Sequence, residues 1–150
     1  MNQKIEILNK KARFSYNIQS VYEAGIQLNG SEIKSIRNSE ANIKDAYCIL
    51  IENEVFVKNM YITKYKLSMI EDYKPKRDRK LLLNRSEIKK IQKMIEEKGM
   101  TVIPTKLFIN QKGFAKLEIG VGKGKKLYDK REDIKKRESN IEIERTKKEE

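Results

Sequence analysis

The residues best suited to chemistry in this chain are cations, and the chemistry they offer is contact with phosphate. Lys74, Lys76, Arg77, Arg79 and Lys80 crowd into one short run, KPKRDRK. Lysine brings a mobile point charge, and arginine a planar fork that binds phosphate or carboxylate through two hydrogen bonds. Such a run is most often solvated surface and sometimes a phosphate-binding patch; here it stands just before a well-marked helix, which gives it a rigid mount. Lys34 and Arg37 lie three apart in SEIKSIR and point the same way on a helix. Gly120, Gly122 and Gly124 alternate with single residues ahead of Lys125 and Lys126. This is not a P-loop, which needs Gly-Lys followed by Ser or Thr where a helix opens after a parallel strand. Three glycines at period two share one face of a strand, so the pattern predicts either close approach of another backbone or a strand bending at its end. Tyr22, Tyr61 and Tyr65 lie near basic residues and are able to stack on bases, although tyrosines in strand-rich stretches more often serve the core or cross-strand pairs.

Other chemistry is hard to build from this composition. There is no histidine, which removes Ser/His/Asp and Cys/His nucleophilic catalysis, the common zinc sites and the usual general base near neutral pH. The acids are scattered among lysines without a pair that the sequence marks as buried, so carboxylate catalysis has little support and no cofactor is implied. Cys48 is alone and sits in an apolar run; it is expected to be a small buried thiol in a reducing cytosol. MNQKIEILNKKAR lacks the apolar block of a signal peptide, and no run of about 18 apolar residues is present to span a bilayer. A soluble, cytoplasmic protein is expected. Lys and Arg number 34 against 22 Asp and Glu, a formal net charge of +12, which favours a polyanionic neighbour, although lysine-rich surface composition alone yields the same excess.

The elements that must position these cations are mostly strands. A chain of 150 residues suits one domain of about 100–150 residues with an extension. Bulky residues from Tyr16 to Leu28, interrupted by Gly25, predict one or two strands after a short polar lead. SEIKSIR predicts a short helix with Ser31 as cap, Glu32 in its first turn, and Ile33 and Ile36 on one face. AYCILI, a polar turn near Asn53 and VFVKNMYI form a hairpin whose first strand has two apolar faces. The basic segment around Pro75 predicts an ordered loop. Asn84 as cap, Glu87 completing a capping box, the stripe Ile88, Ile91 and Ile95, and Gly99 as terminator mark the strongest helix. TVIPTKLFI and GFAKLEIGV make a second hairpin. In it Ala115, Leu117, Ile119 and Val121 face one way, Lys116 and Glu118 the other, and Pro104 predicts an edge strand or a strand start. Strands at short intervals without a βαβ rhythm favour an antiparallel barrel with helices outside.

Past the glycines nearly every residue is charged. Glu132 precedes Lys136 by four and Asp133 precedes Arg137 by four, the favourable order for helical ion pairs, while Leu127, Ile134 and Ile141 make only a thin apolar stripe. Each pair contributes about 0.2–0.5 kcal/mol, too little to hold a short helix in water. The expectation is a tail over 123–150 that is disordered when free and helical on a polyanion, following a barrel over 1–122.

These pieces resemble the SsrA-binding proteins, also called small protein B, bacterial partners of transfer-messenger RNA (tmRNA). The resemblance is carried by NKKARFSY, EAGIQLNGSEIKSIR with ANIKDAY, RDRKLLLN, the hairpin from GMTVIPTKLFI to GFAKLEIGVGKGKK, and LYDKRE, in the family's order over nearly the whole chain. It implies a mainly β, OB-type barrel of about six strands with flanking helices, and a non-enzymatic adaptor. Such an adaptor grips the tRNA-like domain of tmRNA and brings the alanyl-charged RNA, with elongation factor Tu, into stalled ribosomes for trans-translation. By motif, Glu32, Lys34, Arg37, Asn42, Arg79 and Lys80 are implied on the RNA-binding face, and Gly122, Lys123 and Lys125 join them where the tail begins. Lys126, Tyr128, Asp129, Lys130 and Arg131 are implied at the ribosomal decoding centre and messenger channel. The chain departs from the family in lacking a histidine ahead of the RKLLL block, where Glu71, Asp72 and Tyr73 stand instead.

Overall fold

Alternation in the second half of the chain decides where the core lies. In the computed structural model, which describes residues 4–125 together with Arg131, Ile134 and Lys135, strands β8 (Thr101–Ile109) and β9 (Ala115–Gly124) form the expected hairpin. Leu117, Ile119 and Val121 are fully buried on its inner face. Strand β2 (Tyr16–Ile26) pairs with β9 from Tyr16 opposite Gly124 to Gly25 opposite Lys116. The hairpin of β4 (Tyr47–Ile51) and β5 (Glu54–Lys58) turns through Glu52 and Asn53, both at positive φ. With β7 (Arg79–Leu82), six antiparallel strands close into a ring in the order β8, β4, β5, β7, β2, β9 and back to β8. Register shifts in β2 at Ile18/Ser20 and in β8 at Pro104/Lys106 supply the local bending that closure requires. The mainly β fold with a closed antiparallel sheet and helices outside it agrees with the sequence reading.

Helices cover the sides. In α3 (Arg85–Lys98) the predicted caps are all in place. Asn84 Oδ1 accepts from Glu87 N at 3.0 Å, Glu87 Oε1 accepts from Asn84 N at 3.2 Å, and Gly99 ends the helix at φ 62°. Its buried Ile88 and Ile91 join the core, at about 1.5–3 kcal/mol for each such side chain removed from water. Cys48 is buried beside Ile91 and Val102, and burial pushes its thiol well above the ordinary value, so it stays protonated. In α2 (Gly30–Arg37) the cap is Asn29, two residues before the expected Ser31: Asn29 Oδ1 accepts from Glu32 N at 2.9 Å and Glu32 Oε1 accepts from Asn29 N at 3.1 Å. A capping box needs a side-chain oxygen at the cap three residues before the Glu, and Asn29, not Ser31, stands at that distance from Glu32.

One further expectation is corrected. Pro104 lies inside β8, opposite Ile119, not at an edge or a strand start. On its other side β8 meets β4 only at Val102 and β1 (Glu6–Leu8) only from Lys106 to Phe108, so proline falls in a gap where no ladder donor is needed. The polar lead is structured: β1 adds to β8, and α1 (Lys10–Ser15) follows it. Buried Asn9 ties this lead down, because its side chain accepts from Ala12 N and donates to Ile43 O and Pro104 O. A small separate pairing joins β3 (Ala41–Asn42) to β6 (Tyr61–Ile62). The expected boundary at Gly122 falls within β9, whose pairing continues to Gly124.

Candidate nucleic-acid interface

Strand periodicity splits the basic run. β7 begins at Arg79, so Arg79 and Leu81 turn inward with no exposure while Lys80 points out, half-buried. The capping box of α2 aims the Glu32 carboxylate at the same interior spot. Arg79 Nε donates to Glu32 Oε2 at 2.7 Å, and its other nitrogens donate to the carbonyls of Met60, Pro75 and Arg77 and to the Tyr73 hydroxyl. Arg77 reaches the carboxylate from the outer side, with Nε 3.1 Å from Oε2 and Nη2 bonded to Oε1. The Tyr73 hydroxyl lies 3.1 Å from Glu32 Oε2 and 3.0 Å from Ile62 O, with one proton to donate to either. Every N–H of the Arg79 guanidinium therefore has an acceptor, the condition under which a buried ion pair is tolerated. Glu32 and Arg79 thus lie beneath the surface; the contact that the resemblance implied for them is closed to a ligand in this structure.

Burial pushes the Glu32 carboxyl upward, but hydrogen bonds from Arg77, from Asn29 N and from Arg79 outweigh it and hold the group below its ordinary value of 4.5. Tyr73 moves the other way, raised by burial and by the Glu32 charge. Because folding lowers the Glu32 value, the unfolded chain binds that proton more readily. The stabilisation is complete above the ordinary carboxyl range and is lost as pH falls through and below it. The stability advantage of the wild type over Glu32→Gln is accordingly expected to shrink from roughly pH 5 to pH 3. Urea titrations across that range check this, and an advantage that grows in acid would contradict it.

Around this buried brace stand the exposed candidates. Lys34 is exposed and its Nζ lies 5.3 Å from the centre of the Tyr65 ring; Arg37, the last residue of α2, is exposed as well. Asn42 is exposed and its Oδ1 accepts from Lys44 N at 2.7 Å. Lys80 sits 3.7 Å from Glu54. The Ser35 hydroxyl donates to Thr63 O at 2.6 Å and Thr63 N to Glu40 O, so α2 and the connection over 63–78 form one shelf carrying Lys34, Lys64, Lys66, Lys74 and Lys76. Of the tyrosines, Tyr22 packs against the core, whereas Tyr61 is partly exposed and Tyr65 lies under Lys34.

The glycine-lysine end is elsewhere. Gly122 is buried, Lys123 exposed, and Lys125 half-buried with its N–H donated to Ser15 O. Along β2, Gly25 is paired beside β7 and Tyr16 beside Gly124; they stand nine positions apart along the strand, roughly 30 Å at the usual rise. The two groups of implied residues therefore occupy opposite ends of one strand. Next to the second end is an open cleft of about 320 Å³ lined by Arg13, Tyr16, Asn17, Ile18, Val21, Thr105, Glu118 and Lys125. Arg131 is exposed and helical, while Lys126, Tyr128, Asp129 and Lys130 lie outside the described residues.

Sequence reasoning missed Lys64, Lys66 and the apolar residues between them and Tyr73, because a loop has no periodicity to read. It also missed Leu82, which is 54% exposed and pairs with Gly25, the residue whose other ladder partner is Lys116; the alternation of RKLLL was the available signal. Among the described residues, no three His, Cys, Asp or Glu side chains are grouped to hold a metal, and no helix is long and apolar enough to cross a membrane.

A closed antiparallel ring with lysines braced at one end of β2 and a glycine-lysine exit at the other is a small β module of the nucleic-acid-binding kind. The family model described as SmpB protein matches residues 6–149, and the chain belongs to that family. It is 49% identical over 140 residues to the SsrA-binding protein of Thermosipho africanus, covering 93% of this chain and 94% of that protein. It is 51% identical over 142 residues to the SsrA-binding protein of Geobacillus thermodenitrificans, covering 95% and 91%. Among solved structures, a chain from "tmRNA-SmpB: a journey to the center of the bacterial ribosome" superposes with a TM-score of 0.69 at 34% identity, covering 87% of this chain and 94% of that one.

Proposed function

We propose that this chain is an RNA-binding adaptor of ribosome rescue: it binds the tRNA-like domain of tmRNA and delivers it to stalled ribosomes for trans-translation. The observation that carries the reading is the match to SsrA-binding proteins across nearly the full length of both partners. Geometry supports it, because cations at opposite ends of a strand suit a protein that must touch two polyanions at once. In this reading the shelf of Lys34, Arg37, Lys64 and Lys66 meets tmRNA in the company of Asn42 and Lys80. Glu32 and Arg79 hold the shelf in shape without touching the RNA. Lys123 and Lys125 lead the chain from the ring toward the ribosome, and the residues from Lys126 through Arg131 enter the decoding centre and messenger channel. The tail over 123–150 orders on ribosomal RNA, elongation factor Tu comes with the alanyl-charged tmRNA, the work is done in the cytoplasm, and no bond is made or broken by the protein itself.

The test combines identity with division of labour. RNA recovered with the protein at moderate salt is expected to be dominated by tmRNA. Ending the chain after Lys125, which keeps all of β9, is expected to leave affinity for the tRNA-like domain within about twofold, about 0.4 kcal/mol, while abolishing peptide tagging. Recovery of mixed ribosomal RNA, or full tagging by the shortened chain, would overturn the reading.

A further inference from the structure

The connection between β6 and β7 holds apolar side chains up to solvent at its tip. Residues 63–78 contain no helix or strand, yet the two ends of the segment are fastened to the body of the protein. Thr63 is bonded through both its N–H and its carbonyl to α2 and the residue Glu40; Tyr73 is bonded within the Glu32 network; Ile62 N donates to Pro75 O; and Arg79 donates to Pro75 O and Arg77 O. Ser68 N donates to Tyr65 O and Ile70 N to Ser68 Oγ, which turns the tip. At that tip Leu67 is 77% exposed, Met69 94% and Ile70 39%.

Scattered exposed apolar residues are ordinary, but three within four positions, at the tip of a loop whose ends are held by α2 and the buried ion-pair network, mark a contact surface. The flanks say what kind of partner. Lys64 and Lys66 stand exposed on one side of the tip, Lys74 and Lys76 on the other, and Lys34 lies over Tyr65. Phosphates match the lysines. The apolar tip matches base faces, which are available only where bases are unstacked, since an A-form duplex hides them. Glu71 and Asp72, exposed beside Ile70, repel phosphate and accept from base amino groups, which keeps the RNA backbone on the lysines and the bases over the tip.

We propose that Leu67 and Met69, with Ile70 behind them, form an apolar wedge that seats against unstacked bases in a loop of the bound RNA. This rests on the reading of the chain as a tmRNA-binding protein. The test uses the full-length protein and the tRNA-like domain of tmRNA carrying 2-aminopurine in turn at its unpaired positions. The double variant Leu67→Ser, Met69→Ser is expected to keep the wild-type thermal midpoint and to lose tenfold or more in affinity. Its dependence on salt should be unchanged, because no phosphate contact is removed. Wild type should change the fluorescence of one or two probe positions and the double variant should not, while the conservative single variant Met69→Leu keeps both binding and signal. Lys64→Ala with Lys66→Ala is expected to flatten the salt dependence instead. Failure of the wild type to bind this RNA overturns the functional reading and the wedge with it. Full affinity in the double variant, or lost affinity only for ribosomes, overturns the wedge alone.

Discussion

Replacing Glu32 by alanine is expected to remove about 3–5 kcal/mol of folding stability, the usual consequence of leaving a buried charge without its partner. Arg79 has no solvent-exposed surface, and the carboxylate it would lose sits within hydrogen-bond distance of its Nε. Arg77 and the Tyr73 hydroxyl would lose the same acceptor, and Asn29 N its capping partner. Urea denaturation checks this through a lower midpoint at an unchanged slope. The double replacement Glu32→Leu with Arg79→Met is expected to recover only part of the loss, since it removes the unpaired charge but leaves the carbonyls of Met60, Pro75 and Arg77 without their donor. Because the network fastens the connection over 63–78, RNA affinity in Glu32→Ala should fall in step with stability. A variant as stable as wild type to within about 1 kcal/mol would show that the network is not the brace described here.

Gly122→Ala is the second large effect, and it is a local one. A Cβ at this position would lie 2.0 Å from Asn17 O, 2.7 Å from Asn17 C and 2.8 Å from Ile18 Cα, all of them backbone atoms that cannot swing aside. β2 and β9 would have to part at the bulge, at a cost at or beyond the upper end of the roughly 1–3 kcal/mol typical of overpacking. The neighbouring glycines provide the scale. At Gly120 an added Cβ meets methyl groups of Ile18 and Thr105 at 3.0–3.2 Å, and at Gly124 only the Tyr16 ring at 4.0 Å. Thermal midpoints should therefore rank Gly124→Ala highest, Gly120→Ala next and Gly122→Ala lowest. A Gly122→Ala protein as stable as Gly124→Ala would remove the packing explanation for the glycine pattern.

Where side-chain pattern and local geometry are one problem, the sequence is enough. Asn84, Glu87 and Gly99 lie within one helix, so their spacing alone specifies both ends of α3. The alternation from Ala115 to Val121 names the inner face of β9 because side chains on a strand point alternately whatever it pairs with. Lack of histidine is a matter of composition, and the family motifs lie in order along the chain. The structured lead was harder to read: β1 is three residues long and exists through its pairing with β8, a hundred positions away.

The interface divides along the same line. That this chain is strongly cationic, mainly β and of the SmpB family was settled by its amino acids in order. That Arg79 faces inward to Glu32 while Lys80 faces out, that Pro104 is harmless inside a strand, and that Leu67 and Met69 stand exposed at the tip of a loop held at both ends were decided only by tertiary structure. The physical reason is that a charge or a methyl group carries the same symbol in water and in the core. Whether it ends in one or the other depends on partners that folding brings from far along the chain, as Arg79 meets a carboxylate 47 residues away.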